Sequence, residues 1–176
     1  MKRKFTLILL MLFALTTTTK MYAQTASYKK VRIGLGLEGA LPVGATSNAY
    51  NVGAGATFRV AIALDETSAF TGTTGVIAFI PKSFTGVNTK AQINIPIKAG
   101  YKHMLGETLY GLGEAGVTMA RTYIPSLGSG SLSSVSTSSF TYSVGIGAHL
   151  GGFDPSLRYE GYSGSGFIGL RIGFNF

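Results

Sequence analysis

From Val31 onward, apolar side chains recur at every second position rather than every third or fourth. This period predicts β-strands and no helices. In "VRIGLGLEGAL", Val31, Ile33, Leu35, Leu37 and Leu41 share one face, opposite Arg32, Gly34, Gly36, Glu38 and Ala40. In "VGAGATFRVAIAL", Phe58, Val60, Ile62 and Leu64 oppose Thr57, Arg59 and Ala61. The run Phe70 to Ile80 is less regular, with apolar residues on both faces. The cleanest run is "KAQINIPIKAGYK". There Ala91, Ile93, Ile95, Ile97, Ala99 and Tyr101 alternate with Lys90, Gln92, Asn94, Pro96, Lys98, Gly100 and Lys102.

Four more runs follow. Leu109, Ala115, Val117 and Met119 oppose Tyr110, Glu114 and Thr118. Phe140, Tyr142, Val144, Ile146, Ala148 and Leu150 oppose Thr141, Ser143 and His149. Leu157 and Tyr159 oppose Arg158 and Glu160. Finally Ile168, Leu170, Ile172, Phe174 and Phe176 oppose Arg171 and Asn175. Eight strands is an even count, and their connections alternate in length. "DETS", "HMLGE" and "GGFDP" are tight. "PVGATSNAYN", "PKSFTGVN" and the Ser/Gly-rich Thr122–Ser139 segment are long, and the last connection, "SGSG", is brief. The pattern predicts an all-β, eight-stranded antiparallel up-and-down barrel whose two ends face different surroundings. Pro96 cannot donate to a ladder and a closed barrel has no edge strand, so a bulge is expected there.

Composition decides which face is inside. Of 176 residues, only 12% are charged, about half the roughly 25% typical of a soluble domain. The apolar face is bulky, whereas the other is mostly Gly, Ala, Ser and Thr with a few charges. Eight strands enclose a space just wide enough for side chains to fill. Small residues with a few long charged ones suit that space, so the bulky face is expected to meet lipid. Glu38, Arg59, Glu114, Arg158, Glu160 and Arg171 fall near mid-strand on the inward face, three acids and three bases. Unpaired buried charges cost several kcal/mol each. A lumenal network is therefore expected, with Arg158 and Glu160 beside Arg171, Arg171 beside Glu38, and Glu38 beside Arg59. The other reading makes these solvated surface charges on a soluble, lipocalin-like barrel. Tyr101, Phe140, Tyr142, Phe174 and Phe176 lie near strand ends on the apolar face, as an interfacial girdle or as core aromatics.

The first residues have a separate role. Lys2, Arg3 and Lys4 precede a short apolar stretch from Phe5 to Leu15, and a polar segment ends in "MYAQ". This is the layout of a secretory signal peptide, cut after Ala23 or, as the alternative, Ala26. A transmembrane helix would need about 20 apolar residues. The expected organisation is a leader at 1–23, a short segment at 24–30 and a barrel at 31–176. The leader carries four of the 15 basic residues, leaving 11 against 7 acidic ones. Beyond the leader no basic run exceeds Lys29–Lys30, which speaks against nucleic acid. With no Cys there is neither a lipid attachment site nor a disulfide framework.

A leader, eight alternating strands and the closing "FNF" resemble small outer-membrane barrels of the OmpX and OmpA-domain type. "INIPIKAGYK" followed by "LYGLGEAGV", with the "YAQ" of the leader, resembles the PorT-like barrel domain of Bacteroidota. The resemblance implies an outer-membrane location, lipid and lipopolysaccharide as surroundings, the barrel-assembly machinery as a partner during biogenesis, and a monomer. It also implies that the row Ile168, Leu170, Ile172, Phe174 and Phe176 is the signal read by that machinery. It does not fix an activity. Some such barrels are lipid-modifying enzymes built on a His with a Ser or acid partner. Here His103 and His149 lack the His-x-Ser-Asn pattern, and no residues have metal-ligand spacing. The expected function is non-enzymatic, without cofactor or metal: a structural or surface-interaction barrel with a charge-plugged lumen, and an extracellular ligand possible at loop 122–139. A narrow pore for small solutes is the alternative.

Overall fold

The computed structural model describes residues 31–82, 90–125 and 132–176. The predicted leader, the 24–30 segment and the centres of two long connections lie outside the described residues.

Eight strands form one closed antiparallel barrel: β1 (Val31–Gly44), β2 (Tyr50–Ala63), β3 (Ser68–Pro81), β4 (Gln92–Met104), β5 (Leu109–Pro125), β6 (Leu132–Ala148), β7 (Phe153–Tyr162) and β8 (Ser165–Asn175). Each strand pairs with its sequence neighbours, and β8 closes on β1 through a register that sets Glu38 opposite Arg171. The Phe176 amide donates to the Ile33 carbonyl at 2.8 Å, so both ends of the barrel chain meet at one rim. Residues 64–67, 105–108 and 149–152 make short turns at that rim, hereafter the turn end. At the opposite loop end a single helical turn, α1 (Thr46–Ala49), joins β1 to β2. There too, Ser163 and Gly164, both with positive φ, close the β7–β8 hairpin as a two-residue turn requires.

Alternation settles the polarity of the wall. The outward row of β1 is exposed, Leu37 by 72%, while Glu38 between its neighbours is 4% exposed. The same holds around the barrel: Phe58, Ile97, Val117, Val144, Leu157, Leu170 and Phe174 face out, and Arg59, Lys98, Glu114, Arg158 and Arg171 face in. A soluble barrel has the reverse arrangement. Apolar outside and charged inside is the polarity of a barrel solvated by lipid, so the chain is a transmembrane β-barrel.

Three local expectations are corrected. The Thr122–Ser139 segment is mostly not loop. β5 and β6 stay paired out to Pro125↔Leu132, past the last β4 pair at Arg121 and the first β7 pair at Tyr142. Ser and Thr are compatible with a strand, and Ser-rich composition had suggested coil. Pro96 causes no bulge. The β3–β4 ladder skips two pairs between Thr74↔Ile97 and Ile77↔Asn94 and resumes in the same register, so the missing donor costs rungs rather than an extra residue. Finally, His103 lies within β4 and not in a turn.

Candidate functional site

The inward side chains lie in layers along the lumen. At the loop end, Ala40, Ile77, Phe79 and Phe167 form a buried apolar cluster, with Tyr50 and Tyr162 packed against it. The ring centroids of Phe79 and Phe167 are 5.4 Å apart, edge to face. Ile77 and Phe79 explain why the third run seemed irregular, since their face of β3 turns apolar where the barrel needs a stopper. Beside this cluster Tyr50 donates its hydroxyl proton to Gln92, whose Nε2 donates to Asn94 at 2.8 Å.

Below the cluster lies a charged band. Arg158 Nη1 donates to Glu38 Oε1 at 2.7 Å, and Arg158 Nε to Glu160 Oε2 at 3.2 Å. Lys98 Nζ lies 2.5 Å from Glu160 Oε2 and 3.3 Å from Glu114 Oε2. Arg59 Nε is 3.8 Å from Glu114 Oε1, and Arg171 Nε is 4.0 Å from Glu38 Oε1. Hydroxyls link these groups. Thr57 donates to Glu38 and accepts from Arg171 Nε at 3.0 Å, while Thr73 donates to Glu114 and accepts from Arg59 Nε at 3.1 Å. Glycine makes room for the largest member. A Cβ on Gly36 would fall 2.5 Å from Arg171 Nε.

All six residues singled out from the sequence, Glu38, Arg59, Glu114, Arg158, Glu160 and Arg171, lie in this band. Their pairing differs from expectation in two places: Glu160 pairs with Lys98 and Arg158 rather than with Arg171, and Arg59 does not pair with Glu38. Arg59 stands opposite Gly34, four positions from Glu38 along β1, and its guanidinium turns across the lumen towards Glu114 of β5. Arg158 takes Glu38 instead. Lys98 was missed as a member, although it sits on the polar face of the most regular run. Parity alone would have placed it in the lumen.

At the turn end a third layer follows. Lys102 Nζ sits 3.9 Å from the Tyr110 ring centroid. The Tyr110 hydroxyl donates to Asp154, which also accepts from Asn175 Nδ2 at 2.6 Å. Asp154 had been read as part of a turn, and it belongs to β7. Arg32 Nη1 donates to His149 Nε2 at 2.8 Å. Since Arg offers only donors, this imidazole is neutral at Nε2. Burial, and then the charges of Lys102 and Arg32, hold His149 below its usual range. Around it, Arg32, Lys102, Asp65, Glu66 and Glu107 line a cavity of about 250 Å³ open at the turn end. His103 stacks on Tyr101 on the outer face, and its Nδ1 lies 3.1 Å from Ser68 Oγ, which also accepts from the Tyr101 hydroxyl. Among the described residues no carboxylate is hydrogen-bonded to either imidazole, and no group of His, Cys, Asp and Glu could hold a metal ion. Ile168, Leu170, Ile172, Phe174 and Phe176 form one exposed row on β8 and its end, away from the lumen.

No family model matches the chain, and no curated protein is similar to it. Solved structures are. Ail, the attachment invasion locus protein of Yersinia pestis, shares 15% identity, with a TM-score of 0.60 over 83% of this chain and 97% of that one. The N-terminal β-barrel domain of Pseudomonas aeruginosa OprF shares 14% identity, with a TM-score of 0.60 over 82% and 97%. The fold is that of the small outer-membrane β-barrels. Ail has also been solved in complex with the heparin analogue sucrose octasulfate, and that structure matches equally well at a TM-score of 0.60.

Proposed function

We propose that the protein is a non-enzymatic barrel of the bacterial outer membrane whose filled lumen passes no solute and whose loop end faces outward to meet anionic surface groups. The observation that carries this reading is the polarity of the wall combined with the mutual pairing of the lumenal charges. A pore needs a hydrated path. Here the band from Glu38 to Arg171 and the Phe79–Phe167 cluster occupy the cross-section one above the other. Neither histidine is set between an acid and a nucleophile, which supports the non-enzymatic reading.

The orientation follows from the connections, since barrels of this kind keep short turns on the periplasmic side. All seven acidic residues are then accounted for away from the outer rim. Glu38, Glu114, Asp154 and Glu160 are buried in the lumen, and Asp65, Glu66 and Glu107 line the turn-end cavity. The loop end carries Lys82 just past β3, Lys90 just before β4 and Arg121 on β5, with Lys90 Nζ 5.5 Å from the Tyr123 ring centroid. A rim with bases and no acids suits phosphate groups of lipopolysaccharide, where guanidinium and ammonium donors meet anionic oxygens. The β5–β6 hairpin stands above that rim and offers the outermost surface for a ligand. On this reading the outward row ending in Phe174 and Phe176 serves as the assembly signal, the leader directs export, and the PorT-like resemblance stands as the family to test.

The experiment is fractionation of cells expressing the chain, followed by unfolding of the purified barrel with lipid A or with its dephosphorylated form. The reading expects the protein in the outer membrane, and stabilisation by lipid A that the triple variant Lys82→Gln, Lys90→Gln, Arg121→Gln removes. Recovery in the aqueous periplasmic fraction would refute the location, and equal stabilisation by both lipids would refute the rim.

A further inference from the structure

The charges inside the barrel do not cancel. Among the described residues, five buried bases (Arg59, Lys98, Lys102, Arg158 and Arg171) face four buried acids (Glu38, Glu114, Asp154 and Glu160). The surplus can be traced to particular atoms. Glu160 is shared by Lys98 and Arg158, Glu38 is taken closest by Arg158, and Asp154 accepts from Tyr110 and Asn175. Arg59 and Arg171 are left with the longest contacts in the band, 3.8 and 4.0 Å, both through Nε. Nη1 and Nη2 of Arg59 and Nη1 and Nη2 of Arg171 have no hydrogen-bond partner among the protein groups described. Both residues are almost fully buried, Arg171 at 0% and Arg59 at 3% exposure.

The two arginines meet on β2, where Arg171 Nε donates to Thr57, two positions from Arg59. Arg59 is the register partner of Gly34, and a Cβ built on Gly34 would lie 3.4 Å from Arg171 Nη2. The Arg171 side chain thus runs along β1 to the level at which Arg59 springs from β2. Two like charges held together in a desolvated space repel, and hydrogen bonds to a neutral group would satisfy the N–H donors without removing the excess charge.

We propose that one small monovalent anion of the halide class, chloride in the cell, binds in the lumen between Arg59 and Arg171. A single negative charge suits two guanidinium groups that already have Glu114 and Glu38 at 3.8 and 4.0 Å. The ion accepts from Nη groups of both arginines and turns a repulsive pair into a bridge. It lies turn-endward of the Glu38–Arg158 pair, towards the layer that holds Asp154 and Lys102.

The test uses the purified full barrel in detergent. Crystals grown in bromide should show one anomalous peak within hydrogen-bonding distance of both guanidinium groups. At equal ionic strength, unfolding should be suppressed by halide relative to gluconate. The folded state gains roughly tenfold over the unfolded one when halide is about ten times its dissociation constant. Arg59→Gln removes the surplus charge and should abolish both the peak and the halide effect. If that variant fails to fold, the bromide peak in the native protein decides. No lumenal peak, or unfolding indifferent to halide, overturns the proposal. So does a peak that persists in Arg59→Gln, which marks an adventitious ion only.

Discussion

Two adjacent layers line the same narrow tube and are held by different physics. At the loop end, Phe79, Phe167, Ile77 and Ala40 are held together by the apolar surface they bury. In the middle, Glu38, Glu114, Glu160, Lys98 and Arg158 are held by shared ion pairs, with Arg59 and Arg171 at longer range, so each member depends on the others. The apolar layer tolerates a change by relaxing around it. The charged layer does not, because removing one partner leaves another charge buried and unpaired. Arg158 joins the two, its guanidinium carbon 5.8 Å from the centre of the Phe167 ring.

The contrast can be broken by substitution. Glu114→Gln keeps the shape but leaves Arg59 without its acid and Lys98 with Glu160 alone. It should cost about 3–5 kcal/mol, read from urea unfolding in lipid vesicles, with a loss that added salt partly restores. Phe79→Ala should cost about 3 kcal/mol, with no such salt dependence. If the two variants respond alike to salt, the distinction between the layers is wrong.

Outside both layers the effects should shrink. His149 has a folded value below that of a free imidazole, so the unfolded chain takes up its proton first as the medium is acidified. Its contribution is complete above the free value of about 6.5 and fades as pH falls through it. Being only half buried, it should account for less than about 1 kcal/mol. His149→Gln should flatten that part of the pH profile between pH 7.5 and 5.5. Least of all should come from the hairpin. Replacing residues 124–133 with Asn-Gly closes the turn on the Tyr123↔Ser134 pair and should change stability by less than about 0.5 kcal/mol, while removing any ligand bound there.

The same two layers show what could be read beforehand. Alternation of single residues made the charged band legible, since the few charged side chains on a Gly- and Ser-rich inward face have only one place to go. It did not give the partners. Arg59 and Glu114 lie on β2 and β5, and the reach of a guanidinium across the lumen is not a property of either strand. The apolar layer was hidden for the opposite reason. When Ile77 and Phe79 join Val76 and Ile80, both faces of β3 look alike, and parity cannot say which enters the lumen. Composition misled once more at the hairpin, where small polar residues suggested coil and the backbone ladder carried on without any buried face.

The central claim, that the two stacked layers close the lumen, is tested most directly by the conductance of the purified barrel in planar bilayers. The account predicts a silent bilayer from the native protein at either voltage polarity, and channel openings only when both layers are opened together in Phe79→Ala, Glu114→Ala. Regular openings from the native protein would contradict it and make the chain a narrow pore.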